Sequence, residues 1–271
     1  QWNATAYAGS GIYTINAAQA TATLEGANSK TFDGSQVTTS QLNATSTDPI
    51  RVEITVPGLA AGLTQSITYT LQDGDYTWNT PGGVAPSAVG NYTITLNQAA
   101  ILSHLQDAID TSTVANSSRT NPALNWANNV AIAVANIGGT ASYDITATNA
   151  NVAQSGSGSS TYNGQPAAVS LTNLTDSTNW STTATGLNLN TLTSADFSWY
   201  RADAGGHAIG AALSGAPVNA GSYVIELNSA GQTALQAANT NYHLTVSGGY
   251  HYTINKANAR ISLTTANNQN A

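Results

Sequence analysis

The sequence contains no cysteine and no methionine. Without thiols there are no disulfides, thiolate metal sites, cysteine nucleophiles or Cys-Gln thioesters. The two most readily oxidised side chains are both missing, which suits a surface exposed to air and oxidants. Charge is also scarce, at 7% of residues against about 25% in typical soluble domains. Six Lys and Arg stand against thirteen Asp and Glu, for a net charge of −7. No basic cluster occurs, so a phosphate backbone would be repelled and nucleic acid is not an expected partner. No apolar run approaches the roughly 20 residues of a membrane helix, so no membrane insertion is expected in this segment. The start, Gln1-Trp2-Asn3, lacks the charged and apolar regions of a signal peptide; a leader or wall anchor of the parent protein is expected outside these residues.

What is present points to packed β-structure. Hydrophobic residues make up 41% of the chain, enough to argue against disorder. Thr, Asn, Ser, Gln and Gly fill the polar positions, and the frequency of β-branched Thr and Val biases the chain toward strands and turns. A length of 271 residues suits about two domains with a core each.

The chain also repeats itself. Tyr13-Thr14-Ile15-Asn16 recurs as Tyr143-Asp144-Ile145-Thr146 after 130 residues, and as Tyr252-Thr253-Ile254-Asn255 after a further 109. Within the two units so delimited, Thr31-Phe32-Asp33-Gly34 answers to Thr161-Tyr162-Asn163-Gly164. Asp75-Tyr76-Thr77-Trp78 answers to Asp196-Phe197-Ser198-Trp199, and the block Gly90 to Asn97 to the block Gly221 to Asn228. Trp2 to Asn16 matches the end of a unit and Ala257 to Ala271 the beginning of one. The expected division is 1–16 as the end of a preceding repeat, 17–147 as unit 1, 148–256 as unit 2, and 257–271 as the start of a following repeat or a linker.

Alternation places Tyr92, Ile94 and Leu96 on one face of a half-buried strand. Asn97, and Asn228 or Ser229, offer N-caps to helices over Ala99 to Ile109 and Ala230 to Ala238. Leu105 and Leu235 fall one position out of register when the units are aligned on their caps. After each helix, Gly138-Gly139 and Ser247-Gly248-Gly249 read as hairpin turns. Thr21 to Leu24 and Arg51 to Val56 read as strands outside the core sheet, Asp110 to Asn125 as an insertion, and Ser155 to Ser160 as a surface loop. The fold class expected is mainly β with one short helix per repeat (α+β), as tandem β-grasp-like domains with extra strands. Ig-like β-sandwich repeats are the alternative.

Repetition sorts residues by role. A residue at matching positions in both units serves the shared fold; one without a counterpart is a better candidate for function. Trp78 and Trp199 match, and Trp2, Trp126 and Tyr242 take similar places, so all five are assigned to cores. Trp180 has no partner, and its polar setting suits stacking on a sugar or contact with a host protein. With Tyr200 and Arg201 it makes up the candidate ligand-binding set. Asp73-Gly74-Asp75 opens like a calcium loop but lacks the later ligands, and reads as a turn. His243 and His251 would meet across the second hairpin with no third ligand in view. No nucleophile elbow or carboxylate pair is recognisable, so no catalytic residue, metal or cofactor is assigned. An isopeptide bond at Lys30 would need an adjacent Asn and acid.

Together, Lys30-Thr31-Phe32-Asp33-Gly34 and its counterpart, the Asp-Tyr/Phe-x-Trp block, Ala220-Gly221-Ser222-Tyr223, Leu227-Asn228-Ser229-Ala230-Gly231 and Tyr-x-Ile-x-x-Ala resemble the MBG-type repeats of lactobacillus cell-surface proteins. The resemblance covers both units and transfers no binding residue. It implies a non-catalytic repeat segment of an extracellular adhesin, attached to the cell wall through regions outside this chain. Such a segment would space and present an adhesive region, with adjacent repeats as its neighbours. The alternatives are that the repeats themselves bind mucin-type glycans or host or bacterial surface proteins, or that they form an accessory module of an extracellular glucan-processing enzyme.

Overall fold

Apolar residues alternate along Ala18–Glu25 (β1), so that Ala20, Ala22 and Leu24 are buried and the residues between them face outward. The computed structural model in which this strand lies describes residues 16–59, 63–117 and 125–262. Contacts divide the chain between Thr146 and Ala147. Each side is a mainly β unit with short helices.

In the first unit β1 is central. On one side it pairs antiparallel with β3 (Arg51–Thr55), setting Ala22 opposite Ile54 and Leu24 opposite Val52, and β4 (Ser66–Tyr69) lies beyond. On its other side it runs parallel to the first half of β7 (Val130–Thr146). The second half of β7 is parallel to β2 (Ala27–Thr31) and antiparallel to β6 (Gly90–Leu96), which pairs with β5 (Tyr76–Trp78). A single helical turn, α1 (Thr39–Leu42), and a longer helix, α2 (Gln98–Thr111), complete the unit.

The second unit repeats the plan with its long strands split. β8 (Thr148–Gln154) lies between β10 (Trp180–Thr182) and β14 (Tyr242–Gly248) in a three-stranded sheet. β15 (Tyr250–Asn255) lies between β9 (Ser157–Thr161), to which it is parallel, and β13 (Gly221–Leu227), to which it is antiparallel. β11 (Phe197–Ala202) and the two-residue β12 (Ala208–Ile209) extend that sheet. Helices α3 (Leu171–Thr175) and α4 (Ser229–Ala238) correspond to α1 and α2.

The expected hairpins are absent from both units. First and last strands run parallel, and each steps from one set of partners to the other without reversing. Glycine permits the step. Gly26 and Gly156 sit at φ +99° and +101°, and Gly139 and Gly248 at +91° and +74°. A Cβ on Gly139 would lie 2.4 Å from the Leu24 carbonyl oxygen, and one on Gly248 2.3 Å from that of Gln154. Left-handed backbone and close approach together demand glycine there. The segments read as outlying strands, Thr21 to Leu24 and Arg51 to Val56, lie in the heart of the first unit.

One further departure has a local cause. Ser157 to Thr161 is a strand, not a loop: Gly158 lies beneath Tyr252, where a Cβ would come within 3.1 Å of the ring, and Tyr250 Oη donates to Ser157 O at 2.7 Å. Backbone pairing with β15 outweighs the weak strand propensity of Ser and Gly. In the described part of the insertion after α2, Asn116 is buried. Its amide donates to the carbonyls of Ile109 and Asp110 at 3.2 Å each and accepts from Ala127 N at 2.9 Å, closing the helix end.

The register mismatch in the helices is settled at their starts. Leu105 and Leu235 are both fully buried, as are Ile101 and Ile109 on the same stripe of α2. Each such side chain contributes on the order of 1.5–3 kcal/mol. The next residue, Gln106 or Gln236, turns its amide to the strand edge. Gln106 bonds Val130 O and Ile132 N at 3.3 Å each, and Gln236 bonds Tyr242 O at 2.6 Å and Leu244 N at 2.9 Å. The slipped residue is absorbed at the cap: Asn228 accepts from Gly231 N at 2.9 Å, whereas the Asn97 side chain caps nothing.

Candidate interaction surfaces

The matched aromatic residues form one cluster built twice. Trp78 of β5 meets Tyr92 of β6 and Tyr143 of β7 edge to face, with centroids 6.4 and 6.0 Å apart. Trp199 of β11 meets Tyr223 of β13 and Tyr252 of β15 in the same way, at 6.4 and 5.5 Å. The register sets Tyr92 opposite Tyr143 and Tyr223 opposite Tyr252. The Tyr92 hydroxyl donates to Ala88 O and that of Tyr223 to Asn219 O, each four residues back. Trp126 and Tyr242 are buried as well; Trp2 lies outside the described residues. These rings hold the sheets together, with Trp78, Tyr143, Tyr223 and Tyr252 buried and Tyr92 and Trp199 half-buried.

The three candidate binding residues are not brought together. Trp180 is 7% exposed, packs in the second core, and donates its indole N–H to Leu174 O at 2.9 Å. That geometry makes it a core residue of the three-stranded sheet. Tyr200 and Arg201 lie on β11 of the other sheet, where Tyr200 is half-buried opposite Val224 and Arg201 is exposed on the opposite face.

The acidic turn is a structural knot in unit 1. Asp75 is fully buried and accepts from Tyr69 Oη and Gln72 N at 2.7 Å each, with His104 Nδ1 2.8 Å away. Burial, and then the bond to Asp75, push the Tyr69 phenol well above its ordinary value. Asp73 accepts from the Thr39 hydroxyl. Asp196, the counterpart of Asp75, accepts from Thr193 N and Oγ1, at 2.7 and 2.8 Å. The carboxylates thus serve their own turns. No group of three or more metal-ligating side chains occurs among the described residues. Lys30 gives its ammonium to Asp33 Oδ1, Ser35 O and Ser35 Oγ at 2.8, 2.7 and 2.9 Å, an ion pair with no Asn among those acceptors. The Lys30 bond, then those from Ser35, hold the Asp33 carboxyl far below the usual range.

His243 and His251 fall in different sheets, on β14 and β15. His251 instead shares a cavity of about 230 Å³ with His207 and Glu226, lined also by Gly205 and Gly206. A wider cleft of about 460 Å³ is lined by Tyr162, Asn219, Ala220, Lys256 and Ala257. Tyr162 is 43% exposed, whereas its counterpart Phe32 packs against the first core. Lys256 answers to Ala147 in the repeat. Both hollows belong to unit 2, and Tyr162 and Lys256 stand there where unit 1 has Phe32 and Ala147. Neither stood out in the sequence, because their walls come from segments far apart in the chain.

Two stretches, residues 19–147 and 149–256, match the family described as the MBG domain. Among solved structures, a cell surface adhesin from Lactobacillus reuteri is 36% identical, with 41% of this chain and 100% of that one covered and a TM-score of 0.29. The search of curated proteins gives no match.

Proposed function

We propose that this chain, which belongs to the MBG-domain family and carries one copy in each unit, is a non-catalytic stalk segment of a bacterial cell-surface adhesin. It spaces and presents an adhesive region and is anchored through regions outside these residues. One observation carries the reading: the positions that match between units are spent on the fold. The Trp–Tyr–Tyr clusters, the edge-bonding Gln106 and Gln236, and the stepping glycines are all internal supports. A spacer needs a repeated scaffold and no repeated site. Pulling the chain from its ends tests this. At about 3.5 Å per residue, matched stretches of 129 and 108 residues should release roughly 450 and 380 Å in two separate events. Gradual extension without discrete events would count against a load-bearing stalk.

A second reading, that the repeats bind mucin-type glycan or a host surface protein, is favoured by the cleft of Tyr162, Asn219 and Lys256. An exposed aromatic ring beside amide and ammonium groups suits a sugar. Tyr162→Ala with Lys256→Ala would abolish such binding while the fold stays intact.

A further inference from the structure

The outer strands of the two units are guarded differently. In β2, backbone groups of Asn28 and Lys30 face β7, as the flanking bonds Ser142 N to Gly26 O and Phe32 N to Thr146 O require, so Ala27, Ser29 and Thr31 point theirs outward. That edge is largely occupied. Ala27 N donates to Asp48 O, Ser46 Oγ donates to Ala27 O, and Ser29 N donates to Asn28 Oδ1. The Asn28 amide also holds the end of α1 through the carbonyls of Gln41, Leu42 and Ala44.

In β9 the same geometry follows from His251 N to Gly156 O and Tyr162 N to Asn255 O, so Ser157, Ser159 and Thr161 point outward. Gly158 stands where unit 1 has Asn28, and the clasp is gone. Among the described hydrogen bonds, only Ser157 O on this edge has a partner, the Tyr250 hydroxyl. The other edges of unit 2 are short or covered: β10 and β12 have three and two residues, and Gln236 bonds the outer edge of β14. The β9 sequence, Ser-Gly-Ser-Ser-Thr, carries no Lys, Pro or bulge of the kind that blunts an edge.

We propose that β9 is a self-association site, pairing antiparallel with β9 of a second copy about a two-fold axis through Ser159. Ser159 then faces its own copy, Ser157 faces Thr161, and each exchanges its N–H and C=O to join two five-stranded sheets. Charge favours a second copy as the occupant. Of the net −7, unit 1 holds −6 (nine acids, three bases) and unit 2 only −1 (four acids, three bases). Two copies therefore meet through the nearly neutral unit, with no charged residue on either facing strand.

The absence of cysteine provides a clean test on the whole chain. Ser159→Cys should give a disulfide-linked dimer under mild oxidation, since opposed residues on antiparallel strands lie about 5.5 Å apart between Cα atoms. Ser181→Cys, on the exposed edge of β10, should remain mostly monomeric. Unmodified protein should approach twice its monomer mass in light scattering as its concentration rises toward the millimolar range. Ser159→Pro, which removes an outward N–H and leaves the bonds to β15 in place, should return the monomer mass with an unchanged circular dichroism spectrum. Equal crosslinking at positions 159 and 181, or association that survives Ser159→Pro, would overturn the proposal. A monomer at every concentration would also overturn it, and would leave the edge to a strand from a different protein.

Discussion

Unit 1 and unit 2 share a central arrangement of strands and differ at its edges, where β4 is found only in unit 1 and β12 only in unit 2, and what they share separates support from ornament. Both keep an interlocked Trp with two Tyr, a glutamine laid along the last strand, and glycines where paired strands step together. They differ in the acidic turn, the outer strand and the charge. Unit 1 invests in polar ties: a buried Asp75 with three donors around it, and Asn28 clasping α1. Unit 2 places its buried polar ties elsewhere, at Asn239, which donates to the carbonyls of Leu235 and Asn188, and at Gln154, which donates to that of Leu174, and it leaves its outer strand open. Variation between copies is tolerated where a polar tie can be moved to another position. It is absent where backbone geometry or a ring cluster leaves one solution.

Substitutions read separately for each unit, by hydrogen exchange in the intact chain, can break this contrast. The largest effect is expected from Trp180→Ala. Removing a buried indole from the second core should cost unit 2 about 3–5 kcal/mol and leave unit 1 untouched; an unchanged unit 2 would restore Trp180 as a surface residue. Asp75→Ala should cost unit 1 about 2–4 kcal/mol, because it strands buried donors. The matching Asp196→Ala removes only a local cap and should cost unit 2 about 1 kcal/mol. Equal losses would erase the distinction drawn between the two turns. Gln106→Leu and Gln236→Leu should each cost about 1–2 kcal/mol by orphaning a strand carbonyl and N–H, and here the two units should agree.

Proton linkage gives the smaller effects. The Tyr69 phenol has a folded value raised above the ordinary one of about 10, mainly by burial and then by its bond to Asp75. Its contribution is therefore complete below the unfolded value and lost as pH rises toward the folded one. Unit 1 should weaken before unit 2 in strong alkali, and Tyr69→Phe should narrow the gap. The Asp33, Asp176 and Asp203 carboxyls are held low, the first mainly by Lys30 and the others mainly by backbone N–H groups of Thr178 and His207. Their contributions stand above the unfolded values and fade only as pH falls through the folded ones. All three are exposed, so thermal midpoints should shift little between neutral and moderately acid pH, and little with salt.

Much of the fold was legible because alternation and repetition are local signals. The strands around Tyr92 and Tyr223, the helices behind Asn97 and Asn228, and the buried Trp78 follow from spacing alone. The hairpins were misread because Gly-Gly between two strands signals a turn equally well as a step between sheets. Only the parallel pairing of β14 and β15 with β8 and β9 decides between them. Ser157 to Thr161 read as a loop for a similar reason: its strand character comes from β15, nearly a hundred residues away. The polar sequence neighbours of Trp180 suit either a packed loop or a ligand contact, and only its neighbours in space, Leu174 and the core, decide for packing. The cleft of Tyr162 and Lys256 and the cavity of His207 and His251 arise from contacts between distant segments, which no spacing reveals.

The account turns on repeated positions serving the fold and the chain acting as a spacer. Titration of the intact two-unit chain over immobilised mucin and a glycan array tests that most directly. The account predicts no saturable binding above that of a protein of similar net charge. Saturable binding that is lost on Tyr162→Ala with Lys256→Ala, with both units still folded, would contradict it and make unit 2 a receptor module.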